Sequence, residues 1–306
     1  MLEARSLYKS FGSIEAVKDL SFSLEKGTVL GFLGPNGAGK STTMRMLTGF
    51  LTPTKGTALI QGFDVQIDAL KARRCMGYLP EGAPLYLEMT VQQFLLFIAR
   101  IRNIPRAELA TRLGEALERL SLTDVAGQTI ETLSKGYRRR VGIAQALIHD
   151  PAVLILDEPT DGLDPNQKRD VRQLIRNMAD DKLIIVSTHI LGEVSALCNR
   201  VMIIAGGELK ADNSPVGLLQ TSRYYQAVTL RADNPQSVAT ELSNLPEAAQ
   251  VELKDHELTI FPRKGAKLLP LVTKLAEQQQ WNVQSLRLEE GRLDDVFRRV
   301  TTEAAQ

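Results

Sequence analysis

The sequence is poor in cysteine and in net charge, and it has no long apolar run. Its 306 residues include two cysteines, Cys75 and Cys198, which lie far apart without metal-ligand spacing. They are typical of reduced thiols, and a disulfide between them is the minor alternative. The net charge of +1 weakly disfavours nucleic acid as the main partner. No run approaches the roughly 20 apolar residues that span a bilayer, and Met1 is not followed by a signal sequence, so we expect a soluble protein.

What the sequence does contain is a glycine-rich motif for binding anions. The segment GPNGAGKST fits G-x-x-x-x-G-K-[ST] and lies between an apolar run, Thr28–Leu33, and a helical pattern, Thr43–Leu51. Glycines let backbone N–H groups approach a phosphate, and the following helix adds its unpaired amides. We predict that Lys40 lies over the β and γ phosphates and that Ser41 offers its hydroxyl to Mg²⁺. The alternative is a glycine-rich turn with a surface lysine. The predicted phosphate-binding residues are Gly34, Pro35, Asn36, Gly37, Ala38, Gly39, Lys40, Ser41 and Thr42.

Two other apolar runs end in polar residues that we expect at one edge of a parallel sheet. Ala152–Leu156 precedes Asp157 and Glu158, and Leu183–Ser187 leads to His189. Short continuous apolar runs are typical of parallel strands covered on both faces, and open α/β sheets bind ligands at the carboxyl ends of strands. We predict that Asp157 helps to hold Mg²⁺ and that Glu158 polarises the water that attacks the γ-phosphate. A single histidine at a strand end is usually structural. We expect His189 to lie close to the glycine-rich P-loop, GPNGAGKST, and to the two acids, and this proximity favours a functional role.

The rest of the chain predicts a helical insertion and a second domain. With 43% hydrophobic residues, the chain is long and apolar enough for two domains. Helical periodicity over Val91–Ser121 indicates a helical subdomain at about 84–150. After Pro215 the elements run β-α-β-β-α-β, a ferredoxin-like order, with a hairpin turn at Asp255-His256. We therefore predict domains at 1–215 and 216–306. The predicted apolar stripe of the insertion is Phe94, Leu95, Ile98 and Ile101, and ordinary core is the simplest interpretation of it.

Taken together, the motifs carry a family resemblance. In order they are FG, GPNGAGKST, YLPE, LSKGYRRRVGIAQAL, VLILDEPTDGLD and STH. This series resembles the ATP-binding subunits of ABC transporters over roughly residues 1–215. The resemblance implies an α/β fold, a P-loop NTPase core with an antiparallel β subdomain and a helical subdomain. It also implies binding of ATP and Mg²⁺, ATP hydrolysis, and a separate transmembrane permease that holds the subunit at the inner face of the cell membrane. In the family, the helical subdomain and the loop near Glu81 receive a coupling helix of that permease.

The resemblance also assigns roles to individual residues. Local sequence favours a core position for Phe11, whereas the resemblance makes Phe11 the aromatic residue that stacks on adenine. It places Glu81 at the Q-loop and Asp164 at the D-loop, and it makes Glu158 the catalytic base and His189 the γ-phosphate switch. The signature is Ser134, Lys135, Gly136 and Tyr137.

Two positions depart from the broad family pattern. Glu81 stands where Gln is usual, and a second negative charge near a triphosphate is repelled by about 4 kcal/mol per pair at 4 Å with a dielectric near 20. We expect Glu81 to coordinate Mg²⁺ or to point away until the metal arrives. The signature of the family usually reads LSGGQ, and here Lys135 and Tyr137 replace a glycine and the glutamine. A non-glycine residue at position 135 implies that this position needs no positive φ. Lys135 also adds a cation beside the phosphate that the signature would bind. YLPE with LSKG resembles the exporter subgroup that acts on drugs, antibiotics or other hydrophobic cargo.

The signature implies a second subunit, because in the family it lies away from the P-loop of its own chain. The hypothesis is a head-to-tail homodimer or heterodimer that sandwiches two Mg·ATP. The domain after Pro215 is assigned to dimerisation, docking or regulation. Two alternatives are a soluble ABC-type ATPase acting on nucleic acid or ribosomes, and a P-loop switch without turnover. A single cassette without a charged linker disfavours the first alternative, and Glu158 beside Asp157 disfavours the second.

Overall fold

The chain forms two compact units, Met1–Asn213 and Ser214–Thr302, in a computed structural model that describes residues 1–302. The predicted second domain, 216–306, extends into residues 303–306, which lie outside the described residues. Within residues 1–302, no helix is both long enough and apolar enough to cross a membrane. Cys75 and Cys198 are free thiols, so the disulfide alternative was wrong.

The first unit consists of strands and helices that alternate along most of its length. Its strands are β1 (Leu2–Phe11), β2 (Ile14–Leu24), β3 (Val29–Leu33), β4 (Lys55–Ile60), β5 (Phe63–Asp64), β6 (Met76–Leu79), β7 (Val153–Asp157), β8 (Leu183–Ser187), β9 (Arg200–Ala205) and β10 (Glu208–Asn213). Its helices are α1 (Lys40–Leu47), α2 (Ala69–Arg74), α3 (Val91–Ile101), α4 (Leu109–Arg119), α5 (Lys135–Leu147), α6 (Pro165–Ala179) and α7 (Leu191–Leu197), with short 3-10 turns at Thr123–Val125 and Ile130–Thr132.

A six-stranded sheet forms the centre of this unit, in the order β10-β9-β3-β8-β7-β6. Strands β9, β3, β8, β7 and β6 are parallel to their neighbours, and β10 pairs antiparallel at the edge. Every residue of β3, β7 and β8 is buried, as the continuous apolar runs predicted. Ser187 is paired in register with both Phe32 and Asp157. The carboxyl ends of these three strands therefore meet at one edge of the sheet.

An antiparallel sheet, in the order β2-β1-β4-β5, packs on the same apolar core. Strand β1 continues to Phe11, and Gly12, with φ 58°, makes the turn into β2. The side chain of Phe11 is 48% exposed, so the core interpretation from local sequence was wrong. The aromatic ring stands at the end of a hairpin and is available for contact.

Helix α1 begins and ends earlier than the predicted Thr43–Leu51. It starts at Lys40, directly after Gly39, whose φ is 101°, and its last residue is Leu47. Gly49 adopts φ 68° and donates its N–H to the carbonyl of Met46, which closes the helix. A glycine in the left-handed region is the usual end of a helix, so the chain cannot continue helical to Leu51.

The helical subdomain is formed by α3, α4 and α5. Helix α3 begins with a capping box at Thr90 and buries Val91, Phe94, Leu95 and Ala99, a spacing that follows one helical face. The predicted stripe was wrong at Ile101, which is 58% exposed. Ile101 is the last residue of α3 and lies at the flank of its buried face, so it lines a surface groove instead.

The second unit has the predicted ferredoxin-like order. Its elements are α8 (Pro215–Leu219), β11 (Tyr225–Ala232), α9 (Pro235–Ser243), β12 (Ala248–Lys254), β13 (Glu257–Pro262), α10 (Leu268–Gln278), β14 (Val283–Glu290) and α11 (Leu293–Thr302). The strands pair antiparallel in the order β12-β13-β11-β14. Asp255 and His256 both have positive φ, 50° and 63°, as a tight hairpin turn requires. Trp281 packs against the apolar core of this unit.

Candidate nucleotide-binding site

A cavity of about 200 Å³ lies where the P-loop meets the carboxyl edge of the central sheet. Its walls combine backbone from a loop with side chains of both signs. The loop between β3 and α1 forms one side, and the acidic ends of β6 and β7 form the other. The lining residues are Ala16, Asn36, Gly37, Gly39, Lys40, Ser41, Thr42, Glu81, Asp157, Glu158 and Ser187.

Glycine is required at position 39 because the chain packs tightly there. Gly39 has φ 101°, and a Cβ on it would lie 2.4 Å from the carbonyl oxygen of Ala16. No side chain fits against that backbone oxygen. The loop backbone therefore packs directly against β2 just before α1, whose first amides have no partner within the helix and suit an anion.

Lys40 supplies a cation inside this loop. Its Nζ donates to the carbonyl oxygens of Gly34 at 2.6 Å and Pro35 at 3.0 Å. Burial lowers the pKa of Lys40, and the nearby carboxylates of Glu158, Asp157 and Glu81 oppose that shift. A partly buried cation facing three acids is suited to bind an anion that carries its own counter-ion.

The two acids after β7 face different surroundings. Asp157 is buried, and burial raises its pKa, with the charge of Glu81 adding to the effect. Glu158 lies one residue beyond the strand and accepts a hydrogen bond at 2.8 Å from Nδ1 of His189. An ionised carboxylate can only accept, so Nδ1 carries the hydrogen in this contact. The side chain of His189 is 67% exposed, which leaves its other ring nitrogen accessible.

The oxygen donors at the cavity fit a magnesium ion that arrives with a phosphate. Ser41, Asp157 and Glu81 all line the cavity, and oxygen is the ligand that Mg²⁺ prefers. Within residues 1–302, no cluster of three or more His, Cys, Asp or Glu residues forms a metal site from protein groups alone. Mg²⁺ usually binds through one or two carboxylates together with substrate phosphates, and this donor set matches that pattern.

The other predicted residues lie outside the cavity. Phe11 is at the β1–β2 hairpin, with Nζ of Lys9 5.1 Å from its ring centroid. Ser134 caps α5 by accepting from the N–H of Tyr137, and the helix begins at Lys135 without a positive φ, as predicted. None of Ser134, Lys135 and Gly136 lines the cavity of its own chain.

The starts of helices α5 and α6 lie side by side at this second location. Asp164 caps α6 in a capping box, its Oδ1 accepting from the N–H of Gln167 at 2.9 Å. A Cβ on Gly136 would lie 2.5 Å from Oε1 of the same glutamine. Lys135 pairs with Asp161 at 2.8 Å. The exposed start of α5 is therefore held against the loop that follows Glu158.

Sequence reasoning missed three residues around the site. Ala16 and Ser187 line the cavity, and Arg139 touches the backbone behind it. Ser187 precedes Thr188-His189 at a strand end, so the same edge argument that located His189 would have included it. Ala16 carries no local signal, because its role depends on how β2 folds over the loop.

Known relatives match most of the chain. Residues 17–161 match the family described as ABC transporter. The linearmycin resistance ATP-binding protein LnrL of Bacillus subtilis is 32% identical over 305 residues, covering 98% of each chain. Nod factor export ATP-binding protein I of Ralstonia nicotianae is 34% identical, covering 98% of this chain and 94% of its own. ABC transporter A family member 1 of Dictyostelium discoideum is 36% identical, but this chain spans only 26% of its length.

Solved structures agree on the fold of the first unit. An ATP-binding subunit of an ABC transporter aligns with TM-score 0.68 at 28% identity, covering 72% of this chain and 92% of that one. CbiO1 from Clostridium perfringens, part of the ABC transporter complex cbiONQ, aligns with TM-score 0.65 at 28% identity, covering 72% and 90%. The dimeric bacterial cassette MJ0796 aligns with TM-score 0.65, covering 70% and 98%, and at 24% identity it shows the fold alone.

The chain therefore belongs to the ATP-binding proteins of ABC transporters. It is an ATP-hydrolysing subunit of such a transporter, which confirms the function and enzyme class that the motifs predicted. Among the solved structures, the MJ0796 cassette is described as dimeric and as bound to ADP and Pi, and CbiO1 is described as part of the complex cbiONQ.

Proposed function

We propose that this chain hydrolyses Mg·ATP with Glu158 as general base and His189 as its partner. The observation that carries the proposal is the 2.8 Å contact between Nδ1 of His189 and Oε1 of Glu158, beside a glycine loop that bears Lys40. A carboxylate held by one hydrogen bond keeps lone pairs for a water molecule, which it would orient and deprotonate. The other ring nitrogen of His189 would face the γ-phosphate, and its donation to a phosphate oxygen would require the imidazolium form, in which both ring nitrogens carry a hydrogen.

The remaining residues of the cavity would bind and orient the substrate. Lys40 and the amides at the start of α1 would hold the phosphates. The metal would be held by Ser41, Asp157 and Glu81, and when bound it would offset phosphate charge. Phe11, exposed at the hairpin, would stack on the adenine ring, a contact worth about 0.5 to 1.5 kcal/mol.

The active form is proposed to be a pair of cassettes, either two copies of this chain or this chain with a close relative. Lys135 and Gly136 start a 13-residue helix that Ser134 caps, and none of the three lines the cavity of its own chain. Their free amides would bind the phosphate held by the other subunit, with Asp164 at the contact between the two. Each site is then completed by both subunits.

Comparison of Glu158→Gln with the wild type tests the base. Steady-state turnover should fall at least 100-fold, whereas affinity for a fluorescent ATP analogue with Mg²⁺ should stay within about 3-fold. With saturating Mg·ATP and its membrane partner, the variant should accumulate as a dimer in light scattering. Wild-type turnover would remove Glu158 from the base role. A variant that stays monomeric would contradict the shared site.

A groove of about 500 Å³ between the core and the helical subdomain is the proposed contact with the permease. Apolar side chains stand exposed at its rim, with Phe50 73%, Leu70 74% and Ile101 58% accessible. Exposed apolar residues gathered at one groove are typical of a protein–protein contact. Arg73, Arg74 and Arg102 also line the groove. A cytoplasmic helix of the permease with apolar and acidic side chains would match it.

Membrane recovery tests this contact. In cells that lack the native copy, Ile101→Glu should lower the fraction of the subunit that sediments with membranes by at least 5-fold. Ile14, 67% exposed on β2, provides a control of similar exposure outside the groove lining. Ile14→Glu should sediment like wild type. Equal recovery of both variants would contradict the groove as the docking site, and intact ATPase activity of each would verify folding.

The transporter is proposed to act as an exporter of drug-like or other hydrophobic cargo, with this subunit peripheral on the cytoplasmic side of the membrane. Support comes from the YLPE and LSKGY motifs and from relatives named for linearmycin resistance and Nod factor export. The second unit is proposed to serve dimerisation, docking or regulation. Removing the chain after Pro215 should preserve ATP binding and weaken recovery of the assembled complex. Unchanged recovery of the assembled complex would contradict a role of the second unit in assembly.

A further inference from the structure

Arg139 joins three separate segments of the first unit behind the nucleotide cavity. It lies in α5, only 6% exposed. Its Nη2 donates to the carbonyl oxygens of Asp157 and Glu158, and its Nη1 donates to the carbonyl of Pro80 at 3.3 Å. One guanidinium thus contacts the backbone of both acids after β7 and the residue before Glu81.

The contact with Glu158 falls on an unusual backbone conformation. Glu158 has φ 52°, in the left-handed region that a non-glycine residue adopts only at a cost in conformational energy. Its N–H donates to the carbonyl of Ser187 at 2.9 Å, and its own carbonyl also accepts from the N–H of Asp161 at 3.1 Å. The turn directs the carboxylate toward His189. Arg139 donates to both carbonyls of that turn.

Helix α5 also contacts the acidic segment 157–161 at a second point. Lys135 lies four residues earlier, on the same face of α5, and pairs with Asp161. Helix α5 therefore contacts residues at both ends of the turn, 157–158 through Arg139 and 161 through Lys135. A residue that only filled space in the core would not need these directed polar contacts.

Arg140 provides a matched comparison within the chain. It is adjacent and 7% exposed, but its Nη1 donates to the carbonyl of Leu120 at 3.2 Å and its Nη2 lies 3.6 Å from Asp170. Both arginines are buried on one helix with backbone and acidic partners nearby. Only Arg139 touches the segments that carry Glu81 and Glu158.

We propose that Arg139 is a positioning residue for ATP hydrolysis, which holds the turn at Glu158 and fixes its distance from the Glu81 loop. The inference rests on the proposed role of Glu158 as general base. A lysine at 139 keeps the charge but cannot donate to carbonyls in two directions from a planar fork. The carboxylate would then be misplaced while the phosphate-binding loop stays intact.

The test compares Arg139→Lys with Arg140→Lys in the full-length chain. Arg139→Lys should lower kcat by about 10- to 100-fold, the scale of a 1 Å misplacement, with KM and the affinity for Mg·ATP within about 3-fold of wild type. Arg140→Lys should keep kcat within about 3-fold. Melting temperatures of the two variants should fall by similar amounts. A kcat for Arg139→Lys within 3-fold of that for Arg140→Lys would overturn the proposal.

A double variant separates positioning from general damage. If Arg139 acts through Glu158, adding Arg139→Lys to Glu158→Gln should change the single-turnover rate by less than about 2-fold. The same loss in both backgrounds would overturn the proposal. Should Glu158→Gln itself turn over like wild type, the base assignment falls, and this inference falls with it. An inactive Glu158→Gln beside a fully active Arg139→Lys refutes the Arg139 proposal alone.

Discussion

Replacement of Gly39 by alanine tests the geometry on which the phosphate loop depends. The new Cβ would lie 2.4 Å from the carbonyl oxygen of Ala16 and 3.2 Å from Cγ2 of Val17. Alanine in the left-handed region costs about 1 to 2 kcal/mol. Overlap in a packed region adds about 1 to 3 kcal/mol. The variant should therefore lose about 2 to 5 kcal/mol of stability in the first unit.

Gly62 supplies the control because it has the same backbone requirement without the overlap. Its φ is 82°, and a Cβ there meets nothing within 4 Å. Gly62→Ala should cost only about 1 to 2 kcal/mol, the conformational part. The difference between the two variants measures the close approach of β2 to the loop.

Two measurements on the full chain decide the matter. Urea unfolding followed by far-ultraviolet circular dichroism gives the stability difference, and titration with a fluorescent ATP analogue gives affinity. Gly39→Ala should weaken binding at least 10-fold, or about 1.4 kcal/mol, because relief of the overlap moves Lys40. Gly62→Ala should bind like wild type. Equal stability and equal affinity for the two variants would refute the argument that the packing at Gly39 shapes the site.

The structure also predicts the behaviour of four other variants. Lys40→Met should abolish tight nucleotide binding, whereas His189→Ala should bind ATP normally and turn over at least 10-fold more slowly; normal turnover would remove the histidine from the mechanism. Burial lowers the pKa of His149 to about 4, below its ordinary 6.5. The unfolded chain therefore binds the proton more readily, and the first unit should lose up to about 3 kcal/mol as pH falls from 6.5 to 4. His149→Gln should flatten this dependence in urea midpoints; an unchanged slope would contradict it. Burial would raise the pKa of Glu289, but hydrogen bonds from two arginines and a threonine lower it to about 2. The carboxylate therefore stabilises the second unit above pH 4.5, and that stability is lost as pH falls toward 2. Glu289→Gln should lower the stability of the second unit at pH 7 and reduce its loss of stability in acid. Unfolding is followed by the fluorescence of Trp281, the single tryptophan. An unshifted unfolding midpoint would refute the stabilising role of Glu289.

The sequence predicts the parts of this fold whose cause is local. Strands β3, β7 and β8 are short and mostly apolar because both faces are covered, and the predicted apolar runs match their bounds to within one residue. The hairpin at Asp255-His256 is likewise local, because two residues with positive φ suffice to reverse the chain. The proximity of Lys40 and Glu158 was predicted from the general rule that open α/β sheets bind ligands at the carboxyl ends of their strands. It needed no knowledge of particular contacts.

What the sequence does not predict depends on distant segments. Arg138, Arg139 and Arg140 are identical neighbours, yet successive residues on a helix point about 100° apart. Arg138 donates to the carbonyl of Leu133, within its own stretch of chain. The other two reach carbonyls 59 and 20 residues away, at Pro80 and Leu120. No local pattern distinguishes them, because the difference lies in what folds against each side of α5.

The position of Arg139 bears on how the two sites of a cassette pair would communicate. The proposed contact with the partner's nucleotide is at Ser134, five residues before Arg139 on one continuous helix, a rise of about 7.5 Å. A helix of this length moves as a rigid body, and α5 contacts both ends of the turn at Glu158, through Arg139 and Lys135. Docking of the second subunit on Ser134 would thus be transmitted to the base of the first without any intervening loop.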